Sequence, residues 1–201
     1  IGVDSVSGVP DAGVAHALGY AMESGKPYRR PLVKYTPGYG RSYTPPSQGT
    51  RDLIAKMKLV PIREIIEGNR IVVCEDSIVR GTTSRKIVKM LRNAGATEVH
   101  LRISSPPTSY PCFYGIDTPS RKELISASHS VEEIARDVTA DTLGYLSEEG
   151  LRMAVGTEGE GCATFCDACF NGQYPVHFPR LKMDKQLGLF CQEKKDEKRE
   201  G

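Results

Sequence analysis

The sequence predicts an α/β domain organised on a parallel sheet, and three adjacent segments carry that prediction. Arg70-Ile-Val-Val-Cys-Glu-Asp76 runs through continuous apolar residues between the turn signal Gly68-Asn69 and a small-residue loop, the pattern of a strand buried on both faces. Ser84 to Asn93 then places Ile87, Val88 and Leu91 along one helical stripe, with Gly95 to end it. Glu98-Val-His-Leu-Arg-Ile-Ser104 is the next strand, closed by Pro106-Pro107, and the three segments together make a βαβ unit.

Ahead of this unit, Val3 to Val9 reads as a short strand ending at Pro10-Asp11. A small-residue helix follows from about Val14 to Ser24, capped by Gly25. Pro31-Leu-Val-Lys-Tyr35 is a brief strand. The stretch from Thr36 to Gly49 sets Pro37, Gly38, Gly40, Pro45, Pro46 and Gly49 among polar residues and tyrosines, and reads as a mobile loop of the kind that serves as a lid. Helices near Asp52 to Lys58 and Ile62 to Ile66 lead into the central strand. Beyond Pro107 the strands are expected to stop, with short helices near Arg121 to Ile125, Val131 to Arg136 and Ser147 to Ala154. The implied division is a core over 1–107, a small helical, cysteine-bearing extension over 108–180, and a disordered tail over 181–201 that lacks an apolar anchor.

Composition excludes more than it assigns. At 201 residues the chain suits one ordinary domain with a small appendage. A net charge of +2 with abundant residues of both signs gives no basic face for nucleic acid. No apolar run approaches the roughly 20 residues that cross a bilayer, and Ile1-Gly2-Val3-Asp4 has no signal-peptide pattern, so a cytoplasmic protein is expected. An opening that reads as the middle of a strand is expected to continue something upstream.

The most informative string is Ile71-Val-Val-Cys-Glu75-Asp76-Ser77-Ile78-Val79-Arg80-Gly81-Thr82-Thr83. Carboxylates at the C-terminal end of a parallel strand sit where α/β sheets bind ligands, and there they can hold sugar hydroxyls and a divalent cation. Ser77 to Thr83 can present N–H groups and hydroxyls to a phosphate at the positive end of the following helix. A bare Glu-Asp would be better explained by an acidic strand end with a glycine turn. No Gly-x-x-x-x-Gly-Lys loop is present, which disfavours nucleoside triphosphate hydrolysis.

The full string resembles the phosphoribosylpyrophosphate signature of type I phosphoribosyltransferases: four apolar residues, two acids and a Gly-Thr-Thr loop. Val9-Pro-Asp11, Ala17-Leu-Gly-Tyr-Ala21, Pro46-Ser-Gln48, Asp76-Ser-Ile-Val-Arg-Gly81, Arg102-Ile-Ser-Ser-Pro-Pro107, Pro111-Cys-Phe-Tyr-Gly-Ile-Asp117 and Cys169-Phe-Asn-Gly-Gln-Tyr-Pro175 are similar, in order, to segments of the glutamine phosphoribosylpyrophosphate amidotransferases. That resemblance implies a type I phosphoribosyltransferase fold and transfer of glutamine-derived ammonia to phosphoribosylpyrophosphate, giving phosphoribosylamine and pyrophosphate at the start of purine synthesis. It further implies ammonia from a glutaminase domain upstream of this chain, and a homo-oligomer.

Residue by residue, the resemblance assigns Glu75 and Asp76 to ribose and magnesium, and Ser77, Ile78, Val79, Arg80, Gly81, Thr82 and Thr83 to the loop around the 5′-phosphate. Lys58 matches a lysine that reaches the substrate phosphates, and Lys34 and Arg41 match basic residues at the start of, and within, the closing loop. Any of these three could equally be a solvated surface charge. Three departures stand out: Ala12 where the family commonly has a Ser or Thr magnesium ligand, a lid one residue longer at Tyr35-Thr-Pro-Gly-Tyr-Gly-Arg41, and Glu75 rather than Asp as the leading acid.

Six cysteines stand at 74, 112, 162, 166, 169 and 191, three of them within Cys162-Ala-Thr-Phe-Cys166-Asp-Ala-Cys169. Cys166-x-x-Cys169 alone is compatible with zinc, iron–sulfur, redox use or inert thiols. The resemblance extends to the iron–sulfur branch and implies a [4Fe–4S] cluster on Cys112, Cys166 and Cys169, with a fourth ligand upstream and Cys162 as the one nearby stand-in. Cys74 reads as core, and Cys191 and the four histidines suggest no site. Two other functions compete: a non-catalytic regulator that senses phosphoribosylpyrophosphate, suited by Ala12, and a salvage phosphoribosyltransferase.

Overall fold

The computed structural model describes residues 2–34, 59–156 and 165–176. The expected lid over 36–49, the helix near 52–58 and the tail over 181–201 lie outside the described residues, as do Arg41, Lys58, Cys162 and Cys191.

Six strands are described. β1 (Ser5–Gly8), β4 (Arg70–Glu75), β5 (Glu98–Ile103) and β6 (Thr142–Tyr145) form one sheet in the order β1-β4-β5-β6, while β2 (Leu32–Lys34) and β3 (Leu59–Pro61) pair as a separate ribbon. All neighbours in the larger sheet run parallel, and β2 pairs antiparallel with β3. The helices are α1 (Gly13–Ser24), α2 (Arg63–Ile66), α3 (Thr82–Asn93), α4 (Val131–Asp137), α5 (Glu148–Ala154) and α6 (Ala168–Asn171).

β4 is buried on both faces, as its apolar run predicts, because alternate side chains enter two separate cores. Ile71 and Val73 join Ile87, Val88, Leu91, Val99 and Leu101 on the α3 side. Val72 and Cys74 join Val6, Ala17 and Ala21 on the α1 side. Small residues on α1 let that helix lie close to the sheet: a Cβ on Gly8 would come within 2.4 Å of the Gly13 carbonyl oxygen, and one on Gly13 within 2.2 Å of the Cys74 carbonyl oxygen. Gly25, in the left-handed region at φ 64°, ends α1 as the sequence predicts.

Two strands depart from the expected pattern. Strands do not stop at Pro107, because β6 pairs with β5 through Leu101↔Leu143 and Ile103↔Tyr145 and extends the sheet into the region expected to be helical. β3 occupies a stretch expected to be a simple link between helices. The helix expected over Arg121 to Ile125 is instead a pair of 3₁₀ turns, Arg121–Glu123 and Ile125–Ala127. α4 and α5 begin behind Ser130 and Ser147, whose side chains accept the N–H groups of Glu133 and Gly150.

Candidate active site

The C-terminal ends of β1, β4, β5 and β6 share one edge of the sheet, since all four run parallel. Glu75 and Asp76 stand at the end of β4 on that edge, as the sequence predicts. They are not equivalent. Glu75 is 9% exposed, and burial pushes its carboxyl up to about 8, countered in part by the Asp76 N–H, which donates to Oε1 at 3.0 Å. Asp76 is exposed, and its Oδ1 accepts the Ser77 N–H at 2.7 Å.

Behind the acids the chain turns through Ser77 to Gly81 into α3, which begins at Thr82 rather than Ser84. Gly81 adopts the left-handed conformation at φ 75°, which favours glycine, and a Cβ there would press on Ile125 Cδ1 at 3.0 Å. Ile78 is buried and anchors the loop, while the Ile125 N–H donates to the Val79 carbonyl at 2.9 Å and braces it from outside. Arg80 pairs with Glu123 at 3.0 Å, in the segment just ahead of that brace. The N–H groups of residues 78–84 have no acceptor among the described residues. A row of free amides at the positive end of a twelve-residue helix can bind an anion.

Lys34 lies at the end of β2 and pairs with Asp11 at 2.6 Å, just beyond the end of β1, so it sits beside the same sheet edge. Ala12 occupies the N-cap position of α1 and offers no side-chain oxygen there. The sequence reading did not single out Gly13, whose close approach to Cys74 and Glu75 fixes α1 against the acids; the spacing Gly8-Val-Pro-Asp-Ala-Gly13 was the available signal.

The three cysteines assigned to a cluster share a second neighbourhood. Burial raises the Cys169 thiol, and Cys112 and Cys166 raise it further through space. The Cys169 carbonyl accepts the N–H groups of Ser109 and Tyr110, each at 3.0 Å, which ties α6 to the segment that carries Cys112. Cys112 Sγ accepts the Tyr114 N–H at 3.3 Å, and the Tyr174 hydroxyl donates to the Pro111 carbonyl at 2.7 Å. Among the described residues, no three His, Cys, Asp or Glu side chains converge tightly enough to hold a single metal ion. Cys74 is buried with its thiol pushed up to about 11, an inert core residue as expected.

A parallel sheet with helices on both faces, with an acid pair and an amide loop at the end of its central strand, is the type I phosphoribosyltransferase fold. Comparisons with known proteins place the similarity among amidophosphoribosyltransferases. Amidophosphoribosyltransferase of Bacillus subtilis is 53% identical over 175 residues, covering 86% of this chain and 36% of that protein. The Synechocystis enzyme of the same name is 50% identical over 189 residues, covering 94% and 37%. Among solved structures, the B. subtilis glutamine phosphoribosylpyrophosphate amidotransferase complexed with ADP and GMP superposes with a TM-score of 0.79 at 50% identity, covering 90% of this chain and 40% of that one. No family model matches. Over the residues it spans, the chain is similar throughout to the amidophosphoribosyltransferases, and it spans rather more than a third of the length of these relatives. Among the described residues, no helix is long and apolar enough to cross a membrane.

Proposed function

We propose that the chain supplies the phosphoribosyl half of an amidophosphoribosyltransferase, binding phosphoribosylpyrophosphate and directing ammonia to its anomeric carbon. The observation that carries this reading is the row of unpartnered amides at 78–84 beside the Glu75–Asp76 pair: an anion cradle and a hydroxyl-and-cation site at one strand end. The 5′-phosphate takes the cradle, and Ser77, Thr82 and Thr83 add hydroxyl donors. Glu75 and Asp76 take the ribose hydroxyls and magnesium. Two carboxylates would suffice to hold magnesium, which usually keeps several waters and binds substrate phosphates as well, and the same habit would accommodate Ala12.

Magnesium supplies charge neutralisation to the departing pyrophosphate. Lys34 adds positive charge beside that sheet edge, and the resemblance assigns the same role to Arg41 and Lys58, which lie outside the described residues. The C–N bond forms as the C–O bond to pyrophosphate breaks, and the proton shed by nitrogen leaves on pyrophosphate. No side chain need act as a nucleophile. Cytoplasmic location, an upstream glutaminase domain as the ammonia source and a homo-oligomeric assembly belong to the same proposal. So does a domain division in which the phosphoribosyl core includes β6 and the cysteine-bearing extension packs behind it.

We further propose a structural [4Fe–4S] cluster on Cys112, Cys166 and Cys169. Cys112, Cys166 and Cys169 would hold the cluster as thiolates, and the N–H donated to Cys112 Sγ suits a thiolate. Magnesium-dependent release of pyrophosphate from phosphoribosylpyrophosphate with ammonia tests the transfer, and its absence alongside intact substrate binding favours a sensing regulator, the reading that Ala12 suits. Anaerobic iron and sulfide analysis tests the cluster; zinc alone refutes it.

A further inference from the structure

The loop proposed to hold the 5′-phosphate is tied, residue after residue, to one later stretch of chain, 120–138. The Ile125 N–H donates to the Val79 carbonyl at 2.9 Å. Arg80 Nε donates to Glu123 Oε1 at 3.1 Å, and a terminal nitrogen of the same guanidinium lies 3.0 Å from that oxygen. Gly81 sits against the Ile125 side chain, and Arg85, in the first turn of α3, donates to the Asp137 carbonyl at 2.8 Å and pairs with the Asp137 carboxylate. The support is itself fixed. Leu124 is fully buried and Ile125 is 9% exposed. Glu123 Oε2 accepts the Ser120 N–H at 3.2 Å and the Ser120 hydroxyl at 3.1 Å, so one carboxylate oxygen is held by its own turn while the other takes Arg80. Arg80, and after it Ser120, keep the Glu123 carboxyl below its ordinary value, so the ion pair stays charged at neutral pH.

We infer that Glu123 is a positioning residue for the 5′-phosphate, acting through Arg80 to hold the loop in the shape that presents its free amides to the ligand. The inference rests on the transfer reading above and deepens it, because it gives the Arg80 guanidinium to the brace rather than to the phosphate. A cradle of main-chain amides binds well only when its backbone is fixed before the anion arrives; a loop ordered by its ligand loses binding free energy to that ordering. This loop turns through Gly81, the residue least able to hold a conformation by itself, so its shape must come from contacts outside it. The Arg80–Glu123 pair is half exposed on both sides and contributes little to folding. Its effect is therefore expected in ligand affinity and not in stability.

The test is calorimetric binding of ribose 5-phosphate to the full chain and to Glu123→Gln, Arg80→Met and the double variant, with melting temperatures measured alongside. Gln at position 123 can keep the bonds to Ser120, as in any capping box, and loses the charge that holds Arg80. Glu123→Gln is expected to weaken ribose 5-phosphate about five- to tenfold and to shift the melting temperature by less than about 4 °C. Arg80→Met is expected to weaken it to a similar extent, and the double variant no further than either, because the two side chains form one contact. Where pyrophosphate release with ammonia is followed, the KM for phosphoribosylpyrophosphate rises by the same factor while kcat and the KM for ammonia stay within about twofold. Unchanged affinity in Glu123→Gln overturns the inference. So does tighter binding, in which the freed Arg80 reaches the phosphate itself, and so do losses that multiply in the double variant. A larger drop in melting temperature, or a fall in kcat alone, assigns Glu123 to the fold and overturns it as well. A parent chain that does not bind ribose 5-phosphate sinks the transfer reading and this inference together; a parent that binds, with indifferent variants, sinks the inference alone.

Discussion

Substituting Glu75 by Gln isolates the electrostatic cost of placing a carboxylate at the end of a buried strand. In the folded chain burial raises this carboxyl from an ordinary 4.5 to about 8. Over that interval the folded state holds a proton that the unfolded chain has lost. Stability therefore falls as pH rises from about 4.5, by about 1.4 kcal/mol per pH unit, until the proton leaves near pH 8. The accumulated loss is about 3–5 kcal/mol, present in full only above the folded value. Glu75→Gln keeps the shape, stays neutral and removes the slope. The variant should match the parent near pH 4.5 and exceed it by about 3–5 kcal/mol above pH 8. Urea unfolding of both proteins at half-unit steps between pH 4.5 and 9 measures the difference, with equal m-values required for the comparison. Parallel pH profiles for the two proteins would falsify the claim that desolvation of Glu75 governs this edge. The same variant should lose magnesium-dependent substrate binding, because its gain in stability comes from deleting a charge that the ligand needs.

Gly13→Ala drives a Cβ to 2.2 Å from the Cys74 carbonyl oxygen, backbone against backbone, and should cost at least about 3 kcal/mol in chemical denaturation; a loss below 1 kcal/mol would show that α1 can lift away freely. Lys34→Ala breaks an exposed ion pair with Asp11 and should change stability by less than about 1 kcal/mol. The same change should weaken binding of phosphoribosylpyrophosphate about tenfold by calorimetry, as loss of one charge-assisted contact does. Cys169→Ser should abolish iron incorporation while the far-ultraviolet spectrum of the sheet and helices persists, since α6 lies outside both hydrophobic cores; retention of full iron content removes Cys169 from the ligand set.

The readability of each element followed its burial. β4 announced itself because both faces are covered, so every residue from Ile71 to Cys74 had to be apolar. β6 did not, because Thr142-Leu-Gly-Tyr145 is a four-residue edge strand with every residue only partly buried, and Thr and Gly interrupt the apolar pattern. β3 is three residues long and ends in Pro61, too short to show any period. The acid pair and the Gly81 turn were legible because local chemistry dictates them: a buried strand end, a positive φ and a helix N-terminus fall within a dozen residues. The brace from Ile125 comes from a segment more than 40 residues further along the chain, and an isolated Ile carries no spacing that reports where it will lie.

What the structure adds is a reason why these distant parts meet at one edge. In a parallel sheet every strand delivers its C-terminal residue to the same side, so Gly8, Glu75, Ile103 and Tyr145 arrive together although 137 positions separate the first from the last. The backbone then locks that edge. Val9 N–H donates to the Cys74 carbonyl, Ser104 N–H to the Glu75 carbonyl and Leu146 N–H to the Ile103 carbonyl, each at 2.9–3.0 Å. Each of these bonds runs from the residue just past one strand to the last or next-to-last carbonyl of its neighbour, so the pairing outlasts the strands themselves and the connecting loops start in fixed directions. A site assembled this way tolerates wide variation in its loops, because the loops inherit their origins from main-chain bonds that substitutions other than proline leave in place. The tightest steric demands at this edge fall on Gly8 and Gly13, where a side chain would collide with backbone atoms that cannot give way.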